Sequence, residues 1–155
     1  MRRNAADRAA LDVGWYQPRY LCMLAETYAQ SSQAEAGLRV IAKAKDLVVR
    51  NDEYLWEAEL DRVEGELHRV QGAPAADVEV FFARSIAKAR QQNARSLELH
   101  AAISLARLRR DQSKHAEARD LLAPVYGWFT EGFDTADLKE AKALLDELTL
   151  AGPPA

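Results

Sequence analysis

Five carboxylates crowd one stretch of this 155-residue chain: Glu57, Glu59, Asp61, Glu64 and Glu66. Paired carboxylates can share acid and base roles when their surroundings push their pKa values apart. On a helix, however, these spacings spread the five around the circumference. Arg62 and Arg69 lie among them, so the run reads as a solvated, ion-paired face. Other carriers of chemistry are sparse. His68, His100 and His115 fall on separate helices, and the single cysteine, Cys22, is remote from them. Zinc needs clustered ligands, so no metal site is expected. Serines 31, 32, 85, 96, 104 and 113 sit at caps or packing positions, and none lies in a Gly-x-Ser-x-Gly elbow. A phosphate loop needs glycine amides followed by a lysine, and no Gly-Lys pair occurs. The densest basic run is Arg107, Arg109, Arg110 and Lys114. Asp111, Glu117 and Asp120 dilute it, no aromatic interleaves, and the net charge is −3, so nucleic acid is a poor fit. No catalytic residue, cofactor or metal is expected.

The elements that position these residues are helices. Alanine, leucine, glutamate and arginine dominate, and all favour helix. Valine, isoleucine and threonine are scarce and no long alternation occurs, which argues against a sheet. Three blocks repeat. Ala25, Gly65 and Ala106 are 40 and 41 residues apart. Each is followed by a second slim residue (Gly37, Val78, Ala118) and then by a bulky one (Ile41, Phe82, Leu122). Small residues let two helices approach closely, and the bulky one fills the space above. Helices are predicted at about 18–30, 33–50, 53–71, 74–92, 95–112, 115–130 and 135–149. Ser32 with Glu35 forms a capping box, Ser113 caps a later helix, and Asp134 or Thr135 caps the last. Gly72-Ala73-Pro74 ends one helix and places proline in the first turn of the next. Pro124 frees the carbonyl of Asp120 and should bend its helix. Leu138, Ala141, Leu144, Leu145 and Leu148 form an apolar stripe on the last helix. Its other side is charged, as suits a cap over a helical stack.

These marks resemble the tetratricopeptide pattern, in which a small residue precedes an aromatic by three. Ala25 with Tyr28 fits it, as do Gly37, Ile41 and Ala44; the period exceeds the usual 34 residues. His68 and Arg109 stand where Tyr28 stands in the first block. Residues 54–67, 89–99 and, most specifically, 121–141 resemble the C-terminal repeats of large bacterial signal-transduction ATPases, among them activators of the maltose-regulon type. Some of these proteins carry a class III adenylate or guanylate cyclase domain or a DNA-binding domain upstream. The resemblance implies an all-α, right-handed α-solenoid of about three hairpins (about 15–50, 53–92 and 94–131) with a cap helix at 135–149. It implies a non-catalytic interaction or regulatory scaffold that relays signals to domains outside residues 1–155. A free-standing adaptor for a peptide or protein partner is the alternative.

In such solenoids the first helix of each hairpin faces a concave groove. Counting from the small residues, its exposed positions are Arg19, Cys22, Glu26 and Ala29, then Glu59, Arg62, Glu66 and Arg69, then His100, Ile103, Arg107 and Arg110. Arginine suits carboxylate partners, although the same charges could simply solvate an empty face. Repeat proteins that clamp a C-terminal carboxylate use Asn and Lys at set groove positions. Cys22 and Glu26 stand at two of them here, which disfavours such a clamp. Residues 1–14 read as the remnant of a preceding repeat helix, or as a small N-terminal helix, and 150–155 as a tail. Trp15, Tyr16 and Tyr20 are expected to be exposed and could form a homodimer contact. Tyr126, Trp128, Phe129 and Phe133 read as a seal between the last hairpin and the cap, or as a docking knob. No apolar run is long enough to span a bilayer and no signal peptide is evident, so a cytoplasmic location with no membrane partner is expected.

Overall fold

The computed structural model describes residues 17–151, which fold into α-helices and one 3-10 turn, with no strand among them. The helices are α1 (Gln17–Gln30), α2 (Ala34–Asn51), α3 (Glu57–Val70), α4 (Ala75–Gln91), α5 (Arg95–Asp111), α6 (His115–Gly127) and α7 (Ala136–Leu150). The 3-10 turn, Tyr54–Trp56, precedes α3, so that helix starts later than the predicted residue 53. Residues 1–16 and 152–155, including Trp15, Tyr16 and the proposed N-terminal remnant, lie outside the described residues.

The turns share one backbone solution. Helix ends leave carbonyls without partners. After α1, α3, α4 and α5, one residue adopts positive φ: Ser32, Gly72, Asn93 and Ser113. The next amide then reaches back to a helical carbonyl: Gln33 to Tyr28, Ala73 to His68, Ala94 to Ala89 and Lys114 to Arg109, each at 2.9–3.0 Å. Asp52, with Glu53 bonded to Val48, does the same after α2. These are Schellman-type C-terminal caps.

The serines therefore have the opposite role to the one expected. Ser32 and Ser113 end the preceding helices, and neither caps the next. Gln33 and Lys114 occupy the N-cap positions without a side-chain cap bond. Thr135 is the N-cap of α7, but its hydroxyl makes no cap bond. Pro74 stands one residue ahead of α4, at its N-cap. Pro124 lies inside α6, and the helix continues to Gly127. A left-handed conformation costs a side chain about 1–2 kcal/mol that glycine escapes. Ser113→Gly is therefore expected to raise stability by roughly 0.5–1 kcal/mol. A lower urea midpoint for that variant would contradict this.

Consecutive helices pack in pairs, and α1, α3, α5 and α7 also touch in succession. The aligned positions explain this arrangement. Ala25, Gly65, Ala106, Ile41, Phe82 and Leu122 are all buried. Phe82 lies flat in the space that Gly65 leaves: a Cβ at Gly65 would come within 2.7 Å of the Phe82 ring and 2.9 Å of Phe81 Cβ. Gly37 similarly makes room for Leu67. Where the first block has Tyr28, His68 stacks on Phe81 at 4.8 Å, and Arg109 instead pairs with Glu79. On α7, Leu138, Ala141, Leu144 and Leu148 are buried against α5 and α6, and Leu145 packs at the margin. Of the C-terminal aromatics, Tyr126 and Phe129 pack against this core, whereas Trp128 is exposed beneath the Arg95 guanidinium.

Candidate functional site

Helices α1, α3, α5 and α7 present one continuous line of charge. Glu26 on α1 accepts a hydrogen bond from Arg62 Nη2 on α3 at 2.6 Å. Arg62 also grips Glu59 through Nη2 and Nε, at 2.6 and 3.0 Å. Glu59 Oε2 faces His100 Nδ1 on α5 at 3.6 Å, and His100 Nε2 lies 2.8 Å from Asp137 on α7. Arg107 on α5 meets Glu140 on α7 at 2.5 Å. These residues surround an open cavity of about 280 Å³, with Gln30, Ile103 and Ser104 in its lining. A neighbouring cavity of about 200 Å³ extends the groove to Glu66 and Arg69.

The positions expected in the groove separate into three kinds. Glu26, Glu59, Arg62, His100, Ile103 and Arg107 share the main cavity, and Ala29, Glu66 and Arg69 line the second. Arg19 lies aside, stacked over Trp56, and Arg110 pairs with Asp111 and Glu147. Cys22 and Ile103 are buried, as are Glu59 and Arg62, so none of these four is the exposed position expected. The close stacking of α1, α3 and α5 covers them. In the main cavity four residues were not foreseen, Gln30, Ser104, Asp137 and Glu140, and in the second Val70. Asp137 and Glu140 flank the apolar stripe of α7 at the edge nearest α5. That edge position was the available signal, but Asp137 reads equally well as a partner for the helix dipole.

The carboxylate run is ion-paired but only partly solvated. Asp61 is buried, on the side of α3 away from the cavity. It accepts hydrogen bonds from Lys45 on α2 and from Arg84 on α4, and Lys88 pairs with it at 2.9 Å. Glu64 binds Lys45 and Glu57 binds Lys88. Burial pushes the Asp61 carboxyl up, but the Arg84, Lys88 and Lys45 donors outweigh it and hold it below its ordinary value. The basic run is likewise spoken for: Arg107, Arg109 and Arg110 pair with Glu140, Glu79 and Glu147 of other helices.

Electrostatics in the cavity follow from these contacts. Burial pushes Glu59 up, but His100 and Arg62 together bring its pKa down to about 2. Contact with Glu59 raises His100 to about 9, aided by Asp137 and opposed by burial. Burial and the adjacent Glu59 push the Cys22 thiol far up, so it is a poor nucleophile. Ser104 shares the cavity with His100 and the two carboxylates that flank its ring, Glu59 and Asp137, which superficially suggests acyl-transfer chemistry. Both ring nitrogens of His100 already face carboxylates, Glu59 and Asp137, and neither is turned to the serine as a free base. No group of His, Cys, Asp and Glu among the described residues is placed to hold a metal ion, and no helix among them is long and apolar enough to cross a membrane.

The raised His100 pKa makes stability depend on pH. The folded state binds the proton more tightly, so this contribution is complete below the unfolded value of 6.5 and is lost as pH rises through about 9. The loss is expected to be on the order of 2–3 kcal/mol. Urea midpoints measured from pH 6 to about 8.5, below the range where the buried Cys22 thiol adds its own pH dependence, should fall for the native chain and stay nearly level for His100→Gln. A level native curve would contradict the assignment.

Comparison with family models, with curated proteins and with solved structures finds no match to this chain.

Proposed function

We propose that this chain is a non-catalytic helical-repeat scaffold of the tetratricopeptide type, an α-solenoid that binds an extended segment of a partner protein along the groove of α1, α3, α5 and α7. The single observation behind this reading is that alternate helices, far apart in sequence, place charged side chains along one open groove with two joined cavities. Stacked hairpins use such surfaces for binding, with a few variable side chains choosing the ligand. The sequence resemblance of residues 121–141 supports a further role, as the relay segment behind a bacterial ATPase-coupled cyclase or transcription regulator. In that role the partner segment would belong to the parent chain, and groove occupancy would bias the ATPase between states.

A peptide array probed with the labelled chain tests the scaffold reading. Peptides that bind should lose signal with Arg107→Ala/Glu140→Ala and keep it with Arg39→Ala, which alters an exposed pair on α2. An array with no bound peptide, or with binding indifferent to the groove substitutions, would sink it.

A further inference from the structure

We propose that the cavity bounded by Glu26, Glu59, Asp137 and Glu140 takes one cationic side chain, a lysine ammonium or an arginine guanidinium, from the partner segment. This rests on the scaffold reading and specifies what its groove recognises.

The charges around the cavity do not cancel. Four carboxylates face two guanidiniums, Arg62 and Arg107, and the His100 imidazolium, which leaves one negative charge over. Exposure favours the acids as well. The side chains of Glu26, Asp137 and Glu140 are 41%, 50% and 40% exposed, against 10% for Arg62 and 29% for His100. Arg107, at 41%, is the one cation equally open, and it is already bound to Glu140. A ligand approaching the mouth therefore meets mostly carboxylate oxygens.

The third observation is independent of this charge count. Glu59 is nine-tenths buried and lines the cavity, yet its Oε2 has no hydrogen-bond partner. His100 Nδ1 stands 3.6 Å from it, beyond hydrogen-bond length. A buried carboxylate oxygen without a donor is costly. An ammonium or guanidinium entering beside the His100 ring brings a further positive charge toward that shielded oxygen. An anionic ligand does the opposite: at Arg62 or Arg107 it competes with a carboxylate already bound there, Glu26 or Glu140. The cavity, about 280 Å³ and open on one side, has room for one long side chain.

Titrating isotope-labelled protein with tri-lysine, tri-glutamine and tri-glutamate peptides, while following amide shifts, tests the site. Tri-lysine should move amides around Glu59, His100 and Glu140 saturably, and tri-glutamine should not. The affinity should fall roughly tenfold in Glu140→Gln, which removes one charge at the exposed mouth, and fall again at high salt. Tri-glutamate acting on the same amides, with tri-lysine silent, overturns the cation site while leaving the groove a binding surface. Tri-lysine shifts scattered over the surface, or unchanged in Glu140→Gln, overturn it too. Silence toward all three peptides also overturns it, and the peptide array then decides the scaffold reading separately.

Discussion

Arg62→Leu is expected to cost roughly 3–5 kcal/mol of unfolding free energy at pH 7, among the largest losses any single substitution would produce in this chain. The guanidinium is buried and is the principal cation bonded to Glu59, which is itself buried. Glu26, the other partner, is partly exposed and can turn to water. Glu59 cannot, and leucine would leave its charge with only the more distant His100 for company. Without Arg62 the Glu59 carboxyl keeps only the His100 contact of the two that lower its pKa, so the deficit should shrink as pH falls and the carboxyl takes up a proton. Arg62→Leu/Glu59→Gln should recover much of the loss, because removing a whole buried pair costs less than breaking one. Urea unfolding of the three proteins at pH 5 and pH 7 checks this. A single variant within about 1 kcal/mol of the native chain would show that Glu59 is solvated after all.

Phe82→Ala should cost roughly 3–5 kcal/mol as well, for an apolar reason. The ring is fully buried and packs against Gly65, filling the space a side chain there would take. Alanine would leave a cavity that the Cβ-less Gly65 cannot fill from below. Since small domains are stable by only about 5–15 kcal/mol, this variant should be close to unfolding at 37 °C. Thermal unfolding with a midpoint near that of the native chain would mean that α3 and α4 close over the gap.

The helical layout was largely legible because small and bulky residues recur at fixed intervals. Ala25, Gly65 and Ala106 mark close approach, and Ile41, Phe82 and Leu122 fill the space beside them. The turn chemistry was misread for a definite reason. Serine before an apolar run signals a helix start by the hydroxyl it offers, but Ser32 and Ser113 serve through their backbone, at positive φ, where glycine or asparagine would have been the clearer sign. Gly72 and Asn93 carry that sign at the equivalent turns. Most of the groove was found by counting along α1, α3 and α5, but burial within it was not. Counting assigns a face to Cys22, Glu59 and Arg62, whereas the distance to the next helix decides whether that face sees water. Asp61 shows the same limit on the other side of α3: its burial depends on Lys45, Arg84 and Lys88 arriving from two other helices, and no local spacing records that.

The cavity straddles two elements of unequal attachment, and this has a thermodynamic consequence. Helix α3 is packed among α1, α2, α4 and α5, whereas α7 packs chiefly on α5 and α6 and is tied to His100 and Arg107 of α5 through Asp137 and Glu140. Detaching α7 dismantles one wall of the cavity. Whatever binds there binds the closed form alone, so occupancy and the local opening of α7 are linked, and each hundredfold excess of ligand over its dissociation constant adds about 2.7 kcal/mol of protection to the α7 amides. Hydrogen exchange in that helix thus becomes a reporter of binding at residues on α3, without any change in average structure.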